Sequence, residues 1–138
     1  MKFLFLFSYL ILLTSCSSMD KTASDEVDEV SFQYFDNRIL LPIEINGKGP
    51  FYMVFDTGGS NMLMPDAVRR LGLETKDAGF GGGAGDAQIP MQSTKVESYK
   101  VGNINMTNQD FLIMDLSPIK KAFGFENLDG IIGYELLQ

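Results

Sequence analysis

Histidine and tryptophan are absent from the 138 residues, and cysteine occurs once, at Cys16. Without imidazole there is no Ser-His-Asp or Cys-His machinery. The common His-containing zinc sites are excluded too, and a single thiol can neither close an internal disulfide nor build a thiolate cage. Positive charge is also scarce: 11 Lys plus Arg stand against 18 Asp plus Glu, a formal net charge of −7. That balance argues against a nucleic-acid partner, because affinity there comes largely from neutralising phosphates. A long apolar run is missing as well. Phe3 to Leu13, broken by Ser8 and Tyr9, falls short of the roughly 20 residues that span a bilayer. What remains is chemistry done by carboxylates, hydroxyls and backbone amides, with no metal and no cofactor expected.

The short apolar run suits the h-region of a signal peptide, with Lys2 as its positive n-region. It is followed by Leu13-Thr14-Ser15-Cys16, a string that resembles the lipobox of bacterial lipoproteins. The resemblance implies that residues 1–15 are a lipoprotein signal peptide, cleaved before Cys16, whose thiol and new amino group are then acylated. Acyl chains on one Cys anchor stably, since each buried CH₂ contributes about 0.8 kcal/mol. Ser17 in place of Asp looks like the outer-membrane choice of Gram-negative lipoproteins, so the expected location is the bacterial cell envelope, lipid-anchored at the outer membrane. An ordinary secretory signal with an incidental Cys is the alternative. Residues 16–31 are polar and acidic, with too little apolar surface to offset ordering entropy. They read as a flexible tether; an acidic interaction tail is the other reading.

From residue 32 the texture changes to short apolar runs separated by Gly, Asn and Pro. Arg38 to Ile45 reads as a strand, with Pro42 marking an edge or bulge. Asn46-Gly47-Lys48-Gly49 is a tight turn and Phe51 to Phe55 a returning strand, so 38–56 is expected to be a β-hairpin. Pro65 to Leu73 is the one good short helix before the C-terminus, with Pro in its first turn and Gly72 near its end. Met91 to Val101 and Asn108 to Met114 read as further strands. No long helix alternates with the strands, which argues against a parallel α/β sheet. About 105 residues remain for the domain, enough for one modest core.

The second strand runs straight into Asp56-Thr57-Gly58-Gly59-Ser60. A carboxylate at the end of an apolar run is costly to bury unless hydrogen bonds or function retain it. Thr57 can donate a hydroxyl hydrogen bond, and the glycines let backbone amides approach the carboxyl. A carboxylate held by a tight loop on a rigid sheet is how a general base is made accurate.

Phe51 to Ser60 (FYMVFDTGGS) resembles the catalytic loop of aspartic proteases, two apolar residues followed by Asp-Thr-Gly. Downstream, Asp129-Gly130-Ile131-Ile132-Gly133 resembles the family's second element, apolar-apolar-Gly, which packs beneath that loop. Between them, Ala78 to Pro90 (AGFGGGAGDAQIP) is a Gly-rich hairpin where the family carries its flap. With one Asp-Thr-Gly and half the length of a pepsin, residues 32–138 look like the retropepsin-like branch, in particular bacterial aspartyl proteases. The resemblance implies an all-β fold: a retropepsin-like closed β-barrel, the half-domain of an acid protease, with one or two short helices.

It also implies a mechanism. Two subunits would pair about a two-fold axis and bring two copies of the loop face to face. Two carboxyls about 3 Å apart cannot both ionise and share one proton. The ionised member takes a proton from a bound water that attacks a peptide carbonyl, and the protonated member polarises that carbonyl. Asp56 would be the catalytic residue. Thr57 would bridge the subunits and Gly58 allow their close packing. Phe80, Gly81, Gly82 and Gly83 would belong to the flap that closes over a peptide or protein substrate. Ile131, Ile132 and Gly133 would support the loop from below. An acid optimum follows from the shared proton.

Other readings attach to the same residues. Asp56 could simply brace a turn. Gly79 to Ala84 formally fits the dinucleotide pattern G-x-G-x-x-A, but it follows Lys76-Asp77-Ala78, which reads as no strand, and runs toward Pro90, which opens no helix. Tyr134 to Gln138 begins a helix without a cap or polar tail, where the family continues to a closing strand, so the C-terminal end reads as interrupted. The competing functions are a catalytically silent envelope module that holds a peptide in its cleft, and an inactive fragment of a longer protease.

Overall fold

The computed structural model describes residues 29–81 and 88–138. The expected signal peptide and Cys16, and most of the expected tether, lie outside the described residues. β1 (Gln33–Phe35) turns into β2 (Arg38–Ile45) through Asp36-Asn37, and β2 into β3 (Lys48–Phe55) through Asn46-Gly47. All four turn residues have φ between 46° and 70°, the left-handed geometry whose twist matches that of flanking strands. The hairpin over 38–56 is therefore present. The chain continues through β4 (Met62–Leu63), α1 (Pro65–Leu71), β5 (Thr75–Gly81), β6 (Ile89–Val101), β7 (Ile104–Ile113), α2 (Ser117–Phe123) and β8 (Gly130–Ile132). A single 3₁₀ turn, Tyr134–Leu137, follows.

The strands form one sheet in the order β1-β2-β3-β8-β4-β7-β6-β5, and β2 also pairs with β6. That extra pairing bends the sheet round on itself. It consists of Glu44 opposite Lys100 and Ile45 opposite Tyr99, while β4 has two residues and β8 three. These elements are too short to make a continuous wall, so the all-β half-domain is ring-like rather than the closed barrel expected. Pro42 falls where β2 has a neighbour on one side: its β1 partners end at Leu40 and its β6 partners begin at Glu44. A residue without an N–H is tolerated at such a place.

Alternation along the strands divides the apolar side chains between two layers. Leu41, Ile43, Ile45, Phe51, Met53, Val96, Tyr99, Phe111 and Ile132 fill the inside of the ring, and Ala67, Val68 and Leu71 of α1 close one end of it. Tyr99 and Phe111 meet edge to face, ring centroids 5.5 Å apart, a favoured aromatic geometry. Leu40, Met64, Leu116, Phe125 and Leu128 form a second layer on the outer face, with Val54, Phe123 and Ile131 against it. β3 and β8 thus have apolar neighbours on both faces, and these are the strands that carry the Asp-Thr-Gly and Ile-Ile-Gly motifs.

Two elements differ from the sequence reading. α2 is a second helix before the C-terminus, set by Pro118 in its first turn and by Gly124 at φ 69° just past its end. It buries none of its own residues fully, and its apolar face is the single pair Ile119 and Phe123, too short a pattern to mark a helix. Lys76-Asp77-Ala78 do lie in a strand, β5, paired with β6 from Thr75 opposite Thr94 to Gly81 opposite Ile89. β5 is an edge strand with almost every residue exposed, which removes the hydrophobic alternation that marks a strand.

Candidate active site

Asp56 is the residue after β3. β8 lies parallel to β3, with Met53 opposite Gly130, Val54 opposite Ile131 and Phe55 opposite Ile132. The Asp56 N–H extends that ladder by one rung, donating to the Ile132 carbonyl at 2.9 Å. The chain then folds back over the carboxylate. Gly58 N–H donates to Asp56 Oδ1 at 2.9 Å, and Gly59 N–H to the Asp56 carbonyl at 3.1 Å. This is an Asx-type turn, in which the side chain takes part in fixing its own loop.

The residues named from the sequence as supports, Ile131, Ile132 and Gly133, lie beside the Asp56 loop. Ile132 is fully buried in the inner layer and Ile131 packs on the outer one. Gly133 is the residue that geometry demands: a Cβ there would collide with the backbone of Gly59 and Ser60. A Cβ at Gly58 would sit 3.4 Å from Asp56 Oδ1 and one at Gly59 3.5 Å from Oδ2, ordinary contacts, so this chain alone does not require either glycine. Thr57 is exposed, and among the described residues its hydroxyl has no partner.

Below the loop lies a polar layer that the sequence reading did not single out. Asn61, 1 % exposed, accepts the Gly133 N–H on Oδ1 at 2.9 Å. Its own N–H donates to Glu135 Oε2 at 3.1 Å, and its carbonyl accepts the Leu112 N–H at 2.9 Å. The Asn61 carboxamide also lies near the buried Tyr99 phenol, although Asn61 Nδ2 and the Tyr99 hydroxyl do not meet in a hydrogen bond of good geometry. Burial pushes the Tyr99 phenol above its usual range; the Asn61 side chain opposes the shift and the Glu135 charge adds to it. Asp129, next to the Ile-Ile-Gly element, is buried and ties three pieces together. Its carboxylate accepts the Tyr52 N–H at 2.8 Å and pairs with Arg70 of α1 at 2.6 Å, while its carbonyl accepts the Met64 N–H at 2.7 Å.

The carboxylate of Asp56 is exposed rather than buried. It stands at the rim of a cleft of about 210 Å³ whose other walls are Arg38, Val54, Leu116, Ile119, Phe123, Leu128 and Ile131. The lining is apolar apart from Asp56 and Arg38. The Arg38 guanidinium stacks on Phe123, 3.4 Å from the ring centroid, and is paired with Asp36 at 2.8 Å. An exposed carboxylate beside apolar pockets suits a reacting group with a side chain of a ligand lying next to it. Ile119 and Phe123 enter the cleft from α2, so missing that helix meant missing one wall. The Pro and Gly that bracket α1 also bracket α2, and that signal could have found it.

Phe80 and Gly81 are the last residues of β5, opposite Pro90 and Ile89 at the start of β6. Phe80 is 70 % exposed and Ile89 44 %. Gly82 and Gly83 lie outside the described residues. Among the described residues no three acidic side chains converge as a metal ion would require.

No curated protein and no solved structure matches the chain. The sequence profile described as aspartyl protease matches residues 41–136. That span runs from the middle of β2, through Asp-Thr-Gly and the β5–β6–β7 strands, to the 3₁₀ turn after Gly133, and on it the chain belongs to the aspartyl protease family.

Proposed function

We propose that this chain is an aspartic endopeptidase that acts as a homodimer, with Asp56 from each subunit forming the catalytic pair. The observation that carries the reading is the state of Asp56. Its backbone is locked to β8 and its loop to Gly133, yet its carboxylate, with Oδ1 accepting the Gly58 N–H, stands exposed at the mouth of an apolar cleft. A turn of this kind needs one carboxylate oxygen, as Asp77 with Gly79 and Asp115 with Ser117 also show; what sets Asp56 apart is its place at the end of the β3–β8 ladder, beside the cleft. One chain supplies one such carboxylate, and a symmetric dimer supplies the second.

In that arrangement the two carboxyls share a proton. The ionised one accepts a proton from water as the water attacks the scissile carbonyl, and the other donates a hydrogen bond to the carbonyl oxygen. The peptide lies extended, with an apolar side chain beside Val54, Ile131 and Phe123, and the β5–β6 hairpin closes over it to exclude water. The substrate is a peptide or an unfolded protein segment in the cell envelope, where acylated Cys16 would hold the domain at the membrane.

The test uses the full chain in detergent, incubated with an unfolded protein from pH 4 to 7. The wild type should cleave, with apolar residues flanking the cut. Asp56→Asn should lower the rate by about 10³-fold while the far-ultraviolet spectrum and melting curve stay as they were. Cleavage that persists in the variant would remove Asp56 from the mechanism. Peptide binding without cleavage in the wild type would favour the silent module.

A further inference from the structure

We infer that Glu135 is a positioning residue for the Asp56 loop, acting through Asn61 and Gly133; this rests on the reading of Asp56 as the acid–base group. The loop from Asp56 to Asn61 has two supports. The first is the backbone ladder to β8, seen at Asp56 N–H to the Ile132 carbonyl, with the Tyr134 N–H donating to the Gly59 carbonyl at 3.1 Å. The second is made of side chains. Glu135 Oε2 receives the Asn61 N–H at 3.1 Å, and Asn61 Oδ1 receives the Gly133 N–H at 2.9 Å.

The two supports form a closed circuit. Asn61 ends the loop just before β4 and Gly133 directly follows β8, so the Asn61 carboxamide fastens the start of one strand to the end of the other. Glu135, two residues past Gly133, reaches back to hold the Asn61 backbone. Its carboxylate lies over the face of Gly133, in the space that a Cβ there would enter. The Gly133 contact therefore has two consequences: it admits the Gly59 backbone and it leaves room for the carboxylate. Half-burial of Glu135 shields this bond from bulk water, and a hydrogen bond counts for more where water is kept away. Asn61 is buried while its Nδ2 lacks a well-formed partner among the described residues. The carboxamide is thus held chiefly through Oδ1 and through its own backbone, which makes the Glu135 bond count for more. Loss of that bond would let Asn61, and then Gly59 and the Asp56 carboxylate, move relative to the cleft. Displacements of about 1 Å are enough to cost catalysis heavily.

Two variants of the full chain and two readouts test this. In Glu135→Ala the acceptor is lost; in Glu135→Gln a neutral carbonyl oxygen can still accept. Amide exchange across residues 57–62 should accelerate about tenfold in Glu135→Ala with the β6–β7 strands unchanged, and Glu135→Gln should stay close to the wild type. Peptide cleavage should follow the same order, with kcat falling about tenfold in Glu135→Ala, KM unchanged, and recovery in Glu135→Gln. Wild-type exchange in Glu135→Ala would overturn the inference. So would equal loosening in both variants, or loosening spread over β6 and β7, because Glu135 would then act through charge or global stability. If the wild type cleaves nothing while exchange behaves as expected, the protease reading fails and the Glu135 assignment stands.

Discussion

Between Asp56 and Asn61 the backbone is fastened at four of six residues: Asp56 to Ile132, Gly58 to the Asp56 carboxylate, Gly59 to Tyr134, and Asn61 to Glu135 and Leu112. Between Thr75 and Gly81 it is bonded along one edge, to β6, and once to its own side chain, Gly79 N–H to Asp77 Oδ1 at 2.8 Å, with a register shift between Asp77 and Phe80. Both segments are rich in glycine, and glycine serves opposite ends in them. At Gly133, against the first, the missing side chain permits contact so close that nothing can shift. In the second, Gly79 at φ 78° has open space around its α-carbon. The domain places its proposed reacting group on the more heavily braced segment and its candidate cover on the less braced one. That division is what an enzyme needs when accurate geometry and substrate entry must coexist.

The contrast can be broken most severely at Gly133. Gly133→Ala drives a methyl into the backbone of Gly59 and Ser60, and should cost about 3 kcal/mol of stability by chemical denaturation. Activity should fall with it. At Phe80 the expectation is reversed. Phe80→Ala should change stability by less than about 0.5 kcal/mol and raise KM several-fold, because an exposed side chain touches substrate rather than core. A stability loss at Phe80 to match that at Gly133 would erase the distinction.

The smallest effect concerns α2, the cleft wall. The Asp115 carboxyl is held below its usual range, first by the Ser117 hydroxyl and then by the Ser117 N–H, which it accepts at 2.9 Å. A carboxyl with a depressed folded-state pKa stabilises the fold above its unfolded value, and that contribution is lost as pH falls through the folded one. Asp115 is fully solvent-exposed, so the effect stays local. The Ser117 amide should lose protection only as the pH drops into and below the ordinary aspartate range, and Ser117→Ala should reduce the change without abolishing it. Protection that is flat from pH 6 to pH 2 would show that the carboxylate does not brace the start of α2.

The parts of this molecule that could be read in advance are those written in neighbouring residues. Asn46-Gly47 gave away the turn between β2 and β3, because few residues tolerate that backbone. Asp56-Thr57-Gly58 and Ile131-Ile132-Gly133 were legible as motifs, and the fold brings them together as parallel neighbours. What stayed hidden depends on distant partners or on a missing pattern. Glu135 meets Asn61 across 74 positions, and nothing local in Tyr-Glu-Leu-Leu announces it. β5 is a strand because β6 offers it an edge, not because its own side chains alternate. The exposure of Asp56 also ran against the expectation from the apolar run before it: the strand is covered on both faces, but the ladder ends there and the next residue emerges into the cleft.

The central claim is that catalysis needs one Asp56 from each of two chains. Wild type and Asp56→Asn, unfolded together in equal amounts and refolded as a mixture, test it directly. If both carboxyls are required, only wild-type pairs cleave and activity falls to about one quarter of that of the same total amount of wild type. Activity at about one half would mean that each chain works by itself, and would contradict the account.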